Sequence, residues 1–107
     1  MKNEFGMVRD RNGYAPSIMQ RDSRCFICGW SGHTHRHEPF GGPLRQKSKA
    51  LGIWCHLCPE CHQNGRKAAH RDPETAAWLK RKAQSAAMSR FHWDTEEFIR
   101  QFGKNHL

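Results

Sequence analysis

The chain has 107 residues, of which 36% are hydrophobic, and it carries a formal net charge of +8 when its histidines are neutral. This length allows one small domain with a limited core, which a bound metal would reinforce. The basic charge favours an anionic polymer such as DNA or RNA as the partner, and cations that only keep the protein soluble are the alternative.

Secretion and membrane insertion are not predicted. The chain contains no run of 18 apolar residues that would cross a bilayer, and its first 20 residues contain no apolar leader core. We therefore expect a cytoplasmic protein with no membrane contact, in which thiols stay reduced. In that compartment the five cysteines favour metal binding over disulfides.

The chain is predicted to begin with an irregular arm over residues 1–20, followed by a single domain over residues 21–107. The arm mixes charged residues with glycine and proline and has no sustained periodicity. Tyr14, Ile18 and Met19 are candidates to anchor the arm on the domain, and a disordered tail is the alternative.

A cysteine knuckle and a short strand follow the arm. The motif Cys25-Phe-Ile-Cys28 allows two thiolates to reach one metal from a tight turn, and Gly29 tolerates the dihedral angles of such a turn. Residues 33–38 are then predicted to form a strand, on which three alternate histidines would share one face.

A loop and a second strand occupy the middle of the chain. Residues 39–49 are predicted as a loop, because two glycines and a proline break regular structure. Its basic residues would either let phosphate approach the backbone or form a solvated connector. Residues 51–57 contain β-branched and aromatic side chains and are predicted to pair antiparallel with the first strand.

A second Cys-x-x-Cys pair completes a predicted zinc site. The proposed ligands of one structural zinc are Cys25, Cys28, Cys58 and Cys61. Four thiolates leave no open position on the metal, so this zinc would not catalyse a reaction. Cys55 has the same spacing to Cys58 and is a competing ligand. We prefer Cys61 because Pro59 suits the first turn of a helix, which leaves Cys55 as a small buried apolar residue.

Helices make up the remainder of the prediction. They are expected over residues 59–64, 73–89 and 94–103. Asp72 and Asp94 are the predicted caps of the second and third helices.

Several histidines form a second candidate site. They are His33, His35, His37, His62 and His70, with Glu38 and Asn64 nearby. Histidines that face each other can bind a divalent metal and leave positions open for phosphate and water, and a neutral imidazole can act as a general base. The alternative is that these are surface residues or neighbours of the zinc site. His56, His92 and His106 are assigned no chemistry.

The motifs together carry a resemblance over residues 13–107. The series is Gly-Tyr-Ala-Pro-Ser-Ile-Met-Gln, Cys-Phe-Ile-Cys-Gly, Phe-Gly-Gly, Leu-Cys-Pro-Glu-Cys-His, Ala-His-Arg and the ending Phe-Ile-Arg-Gln-Phe-Gly-Lys-Asn-His-Leu. It resembles the HNH nucleases of the ββα-metal (His-Me finger) class, and most closely their small phage and prophage members. The resemblance implies an α+β fold, with a small zinc-stapled ββα-metal core and additional C-terminal helices.

The resemblance also implies a function and a set of roles. It implies a metal-dependent DNA endonuclease that acts in phage recombination, replication or packaging. His37 would be the general base, assisted by His35 or Glu38. The ligands of a catalytic Mg²⁺, Mn²⁺ or Zn²⁺ would be His37, His62 and His70. The residues that hold the DNA backbone would be Arg36, Arg45, Lys47 and Arg66.

The sequence departs from the family at two positions. His37 is followed by Glu38 where the family often has a second histidine, and Ile53 and Trp54 occupy the place of its middle asparagine. Asn64 is the nearest substitute for that asparagine. A non-catalytic, zinc-containing DNA-binding accessory protein is the alternative function.

Overall fold

Two short antiparallel strands pair the segment that contains the alternate histidines with the segment that precedes the second cysteine pair. In the computed structural model, which describes residues 6–107, β1 is His35–His37 and β2 is Cys55–Leu57. His35 lies opposite Leu57, and His37 lies opposite Cys55. The predicted antiparallel pairing is therefore confirmed, although both strands are shorter than predicted.

The helical elements alternate with tight connections. They are a 3₁₀ turn at Gly42–Leu44, α1 at Arg45–Leu51, a π-helical turn at Glu60–Asn64, α2 at Pro73–Phe91 and α3 at Thr95–Phe102. Asp72 caps α2 by accepting a hydrogen bond from the Thr75 amide (3.3 Å), and Asp94 caps α3 by accepting one from the Glu97 amide (2.8 Å). Both predicted caps are confirmed.

The loop predicted over residues 39–49 is wrong, because α1 occupies its second half. Pro43 lies in the 3₁₀ turn that leads into α1, where its fixed φ angle suits a helical start. Ser48 is fully buried on the inner side of α1 and donates a hydrogen bond to the Phe40 carbonyl oxygen (2.8 Å). Gly52 ends the helix in the left-handed conformation, with φ at 78°.

Buried side chains form two core clusters. The first contains Phe40, Leu51, Ile53, Ala83, Ala87, Phe98 and Phe102. The second contains Cys25, Cys55, Leu57, Cys58, Ala69 and Leu79. One face of α2 joins the two clusters, because Leu79, Ala83 and Ala87 recur every four residues. Among the described residues, no helix is long and apolar enough to cross a membrane.

The segment that precedes the cysteines packs onto the domain. Ala15 is fully buried, and its amide donates a hydrogen bond to the Lys49 carbonyl (2.8 Å). Its own carbonyl accepts a hydrogen bond from Nε1 of Trp54 (2.8 Å). Ile18 and Met19 pack against the first core cluster, so the anchoring predicted for these two residues is confirmed.

Candidate metal centres

A compact turn positions the first two cysteines. The Gly29 amide donates a hydrogen bond to the Cys25 carbonyl (2.8 Å), and the Cys25 amide donates one to the Trp30 carbonyl (2.9 Å). Gly29 has a φ of 80°, the left-handed conformation that its lack of a side chain permits. The Phe26 amide bonds the His56 carbonyl of β2 (2.8 Å), which fixes the turn beside the start of the second cysteine pair.

Four cysteine sulfurs converge at this place. The Sγ atoms of Cys25, Cys28, Cys58 and Cys61 all lie within 4.8 Å of one another. The Cys28 and Cys58 sulfurs are 3.8 Å apart, which matches the separation of about 3.8 Å that Zn–S bonds of about 2.3 Å require in a tetrahedron. The group can hold a metal ion and is consistent with structural zinc.

Cys55 is not a member of this group. It is fully buried in β2, and burial raises the pKa of its thiol to about 12. The Sγ atom of Cys61, by contrast, lies within 4.8 Å of those of Cys25, Cys28 and Cys58. The preference for Cys61 over Cys55 therefore agrees with the observed geometry.

The surroundings of Cys25 favour ionisation of its thiol. Burial opposes its negative charge, but amide donors of Cys28, Cys58 and Ile27 outweigh burial and lower the pKa of Cys25 to about 6. These amides provide fixed partial positive charge around the sulfur. At neutral pH the thiolate form is therefore accessible, as a zinc ligand requires.

Three histidines form a second group immediately beyond the cysteines. His37 comes from β1, His62 lies in the π-helical turn, and His70 follows that turn. The Ala69 amide donates a hydrogen bond to the Cys61 carbonyl (2.8 Å), and the His70 amide donates one to the His62 carbonyl (3.1 Å). These bonds fold the chain back, so that His70 lies beside His62.

The ligand nitrogens of this group face one another. One ring nitrogen each from His37, His62 and His70 lies within 4.8 Å of the others. Nε2 of His62 is 2.9 Å from Nε2 of His70, whereas two nitrogens on one tetrahedral zinc are about 3.3 Å apart. If the distance between these two nitrogens increased by a few tenths of an ångström, it would match the spacing of two ligands on one zinc ion.

Burial keeps two of these imidazoles neutral. It lowers the pKa of His37 to about 3, with additional repulsion from His62 and His70. It lowers the pKa of His62 to about 4, with additional repulsion from His70 and His35. Neutral imidazole is the form that binds a metal, so this donor set could hold a divalent cation such as zinc.

The histidine group opens into a cavity of about 290 Å³. The cavity is lined by Arg36, His37, Glu38, Gly41, Arg45, His62 and His70. Two guanidinium groups and one carboxylate thus lie beside the imidazoles in this cavity.

Two of the predicted histidines lie outside the ligand group. Nδ1 of His35 contacts Nδ1 of His62 (3.1 Å), on the opposite edge of the His62 ring from His70. The His33 ring is exposed and packs edge-on against His35, with centroids 5.4 Å apart. Asn64 is exposed and does not line the cavity.

Glu38 lines the cavity but is engaged by other side chains. Its carboxylate accepts a hydrogen bond from Nε of Arg45 (2.7 Å) and one from the Tyr14 hydroxyl (3.1 Å). Its side chain is only 8% exposed. The role of Tyr14 was not predicted from the sequence, because the two residues are 24 positions apart.

The predicted DNA-binding cations also have partners within the protein. Arg36 forms an ion pair with Asp10 (2.9 Å), and Nζ of Lys47 donates a hydrogen bond to the Gln101 carbonyl (2.9 Å). Arg45 pairs with the buried carboxylate described above. Arg66 is exposed, and none of the described residues forms an ion pair with it.

The fold and the two side-chain groups define a small α+β protein with a two-stranded sheet and a four-cysteine group that can hold a metal ion. Comparisons with family models, with curated proteins and with solved structures found no match. Function must therefore be inferred from the geometry of the two groups.

Proposed function

We propose that this protein is a metal-dependent DNA endonuclease of the HNH type, with a structural zinc on its four cysteines. The observation that carries the proposal is the convergence of His37, His62 and His70 within 4.8 Å, at the wall of a cavity that also contains arginines. The antiparallel strand pair followed by a helical turn is in keeping with a ββα-metal core. The motif series resembling phage HNH proteins adds independent support.

His62 and His70 would hold the catalytic metal, and His37 beside them would serve as the general base. A bound Mg²⁺, Mn²⁺ or Zn²⁺ would supply Lewis-acid stabilisation of charge on the scissile phosphate. His37 reaches the cavity as a neutral ring, which is the form that accepts a proton from water. A nearby phosphate would raise its low pKa, and so would strengthen it as a base.

The charged residues around the cavity have complementary roles in this proposal. Glu38 orients Arg45, whose own side chain is 58% exposed and can contact a DNA phosphate at the same time. Arg36 lines the cavity beside them. Arg66, which is exposed, and Lys47 would contribute contacts with the DNA backbone that carry no sequence preference.

A plasmid-nicking assay tests the catalytic proposal. Supercoiled plasmid is incubated with Mg²⁺ or Mn²⁺ and with wild type, His37→Ala or His62→Ala. We expect nicked product from wild type and a loss of at least about 100-fold in each variant, which is the size of a general-base or metal-site contribution. His33→Ala is the matched control, because His33 is exposed and outside the ligand group; it should retain the activity.

Binding measurements distinguish the alternative function. If wild type and His37→Ala are equally inert in every metal while both bind DNA, the nuclease proposal is wrong. A non-catalytic DNA-binding accessory protein would then be the better description. In both cases DNA affinity should fall steeply with salt, because a chain of charge +8 displaces counterions from DNA.

A further inference from the structure

His62 lies between two other histidines, and each of its ring nitrogens contacts one of them. Its Nε2 is 2.9 Å from Nε2 of His70, within the ligand group. Its Nδ1 is 3.1 Å from Nδ1 of His35, which lies outside that group. The side of His62 that faces away from the metal site is therefore occupied by another imidazole.

The contact between the two Nδ1 atoms restricts where protons can be. A neutral imidazole has one N–H donor and one bare nitrogen that accepts, so one of the two Nδ1 atoms must carry a proton. A metal ligand must present a bare nitrogen to the metal. If His62 binds through Nε2, its single proton is on Nδ1 and is donated to the bare Nδ1 of His35.

We propose that His35 is a positioning residue, which accepts the Nδ1 proton of His62 and thereby holds the Nε2 of His62 bare and directed at the ligand group. This role depends on the metal site of the proposed function. It differs from the catalytic assistance first expected of His35, since His35 would touch neither metal nor substrate. Partners of this kind fix the tautomer and ring orientation of metal-bound histidines.

The geometry of β1 explains how one strand supplies both His37 and the residue that positions His62. His35 and His37 are two residues apart, so their side chains project from the same face. Both rings contact His62, with centroid separations of 5.3 Å in each case. The strand thus contributes one member of the histidine group and the support of another.

The tautomer of His62 gives the first test. Long-range ¹H–¹⁵N NMR spectra are recorded on protein that contains zinc at the cysteines and no metal at the histidines. We expect wild-type His62 to be protonated on Nδ1, and His35→Ala to populate the Nε2-protonated form as well. His35→Asn should restore the wild-type tautomer, because the asparagine carbonyl oxygen can accept the same hydrogen bond.

Metal affinity gives the second test, with Mn²⁺ or Co²⁺ as the probe in a direct titration. We expect His35→Ala to weaken binding by about 10- to 100-fold, the usual effect of losing such a partner. His35→Asn should recover most of this loss, and His33→Ala should bind as wild type does. An Nε2-protonated His62 in wild type, or His35→Ala with unchanged tautomer and affinity, would overturn the positioning role.

The two proposals fail in different ways. If wild type shows the Nδ1 tautomer and the expected affinities but never nicks plasmid, the positioning role stands and the nuclease function does not. If wild type nicks plasmid and His35→Ala matches it in tautomer, affinity and rate, the nuclease function stands and the positioning role fails.

Discussion

At the scale of single residues, His37 is distinguished by burial without an ion-pair partner. His37 is 9% exposed and has no carboxylate partner among the described residues. The carboxylate of the next residue in the sequence, Glu38, forms hydrogen bonds with Arg45 and Tyr14 instead. A buried imidazole in this environment is destabilised by protonation, because the charge loses solvation and gains repulsion from His62.

This burial predicts a pH dependence of stability. The pKa of His37 is lowered to about 3 in the folded protein and is about 6.5 in the unfolded chain. Between these values the unfolded state binds more protons, so the free energy of unfolding falls as the pH falls from 6.5. The slope from this one residue approaches about 1.4 kcal/mol per pH unit. Well above pH 6.5 the residue contributes no slope.

Urea unfolding of wild type and of His37→Gln at several pH values measures this effect. The variant has no imidazole at position 37, so its stability should depend less on pH between about 4 and 6.5. Acidic release of zinc from the cysteines affects both proteins alike, and the difference between them isolates His37. Equal slopes, or a His37 ring proton that shifts near pH 6.5 in NMR spectra, would contradict the expectation.

At the scale of elements, the π-helical turn at Glu60–Asn64 controls the site. It contains both Cys61 and His62, so one turn supplies a member to each candidate metal group. Gly65 ends the turn, and its amide donates a hydrogen bond to the Glu60 carbonyl (2.8 Å). A side chain at position 65 would have its Cβ only 2.7 Å from that carbonyl oxygen.

We therefore expect Gly65→Ala to disturb the site without removing a ligand. The close approach to Glu60 leaves no space for a methyl group, and overpacking of this kind costs about 1–3 kcal/mol of stability. Metal affinity at the histidines should fall with it, since His62 lies within the same turn. Urea midpoints and a Mn²⁺ titration measure the two effects.

Gly41→Ala is the matched control for this substitution. Position 41 also has a negative φ (−92°), and the nearest atom to a Cβ there is 4.0 Å away. The change in unfolded-chain entropy is the same in both variants, so it cancels from the comparison. Gly65→Ala with the stability and metal affinity of Gly41→Ala would show that the turn tolerates the methyl group.

Local patterns predicted the elements that contain their own start signals. Asp72 and Asp94 cap helices, and alternate histidines mark β1, because each signal lies within a few residues of its effect. α1 was missed because seven residues with two lysines and one arginine show no apolar stripe. Its helix is stabilised by distant contacts, such as that of Ser48 with the Phe40 carbonyl.

The candidate site was also predicted only in part, because local patterns do not reveal contacts between residues that are far apart in the sequence. Cysteine spacing identified the four-sulfur group, and the motif series identified His37, His62 and His70. The sequence did not reveal the contact of His35 with His62, because alternation along a strand gives a face but not a distance. The partners of Glu38 and Arg36 were also missed, since Tyr14 and Asp10 come from the N-terminal segment.

At the scale of the whole molecule, the cysteine group is part of the core. Cys25 and Cys58 are buried in the second core cluster, together with Leu57 of β2 and Leu79 of α2. The cluster is small and contains few large apolar side chains. A metal bound there would therefore replace packing that the sequence does not provide.

Removal of one cysteine should thus have a global effect. We expect Cys58→Ala to lose stoichiometric zinc and to unfold the end of the molecule that contains β2 and the π-helical turn. Zinc contributes about 10–16 kcal/mol to small zinc-dependent folds, which is as large as the total stability of about 5–15 kcal/mol of a typical domain. Because Cys61 and His62 are adjacent, the histidine group should lose its affinity for Mn²⁺ at the same time.

Cys55→Ala is the control, because Cys55 is as deeply buried but outside the sulfur group. It should keep one zinc per chain and lose only the stability that a small cavity costs. Elemental analysis of zinc and urea midpoints compare the two variants. One zinc per chain retained by Cys58→Ala, or zinc released as completely by Cys55→Ala, would exclude the four-cysteine site as the support of this fold.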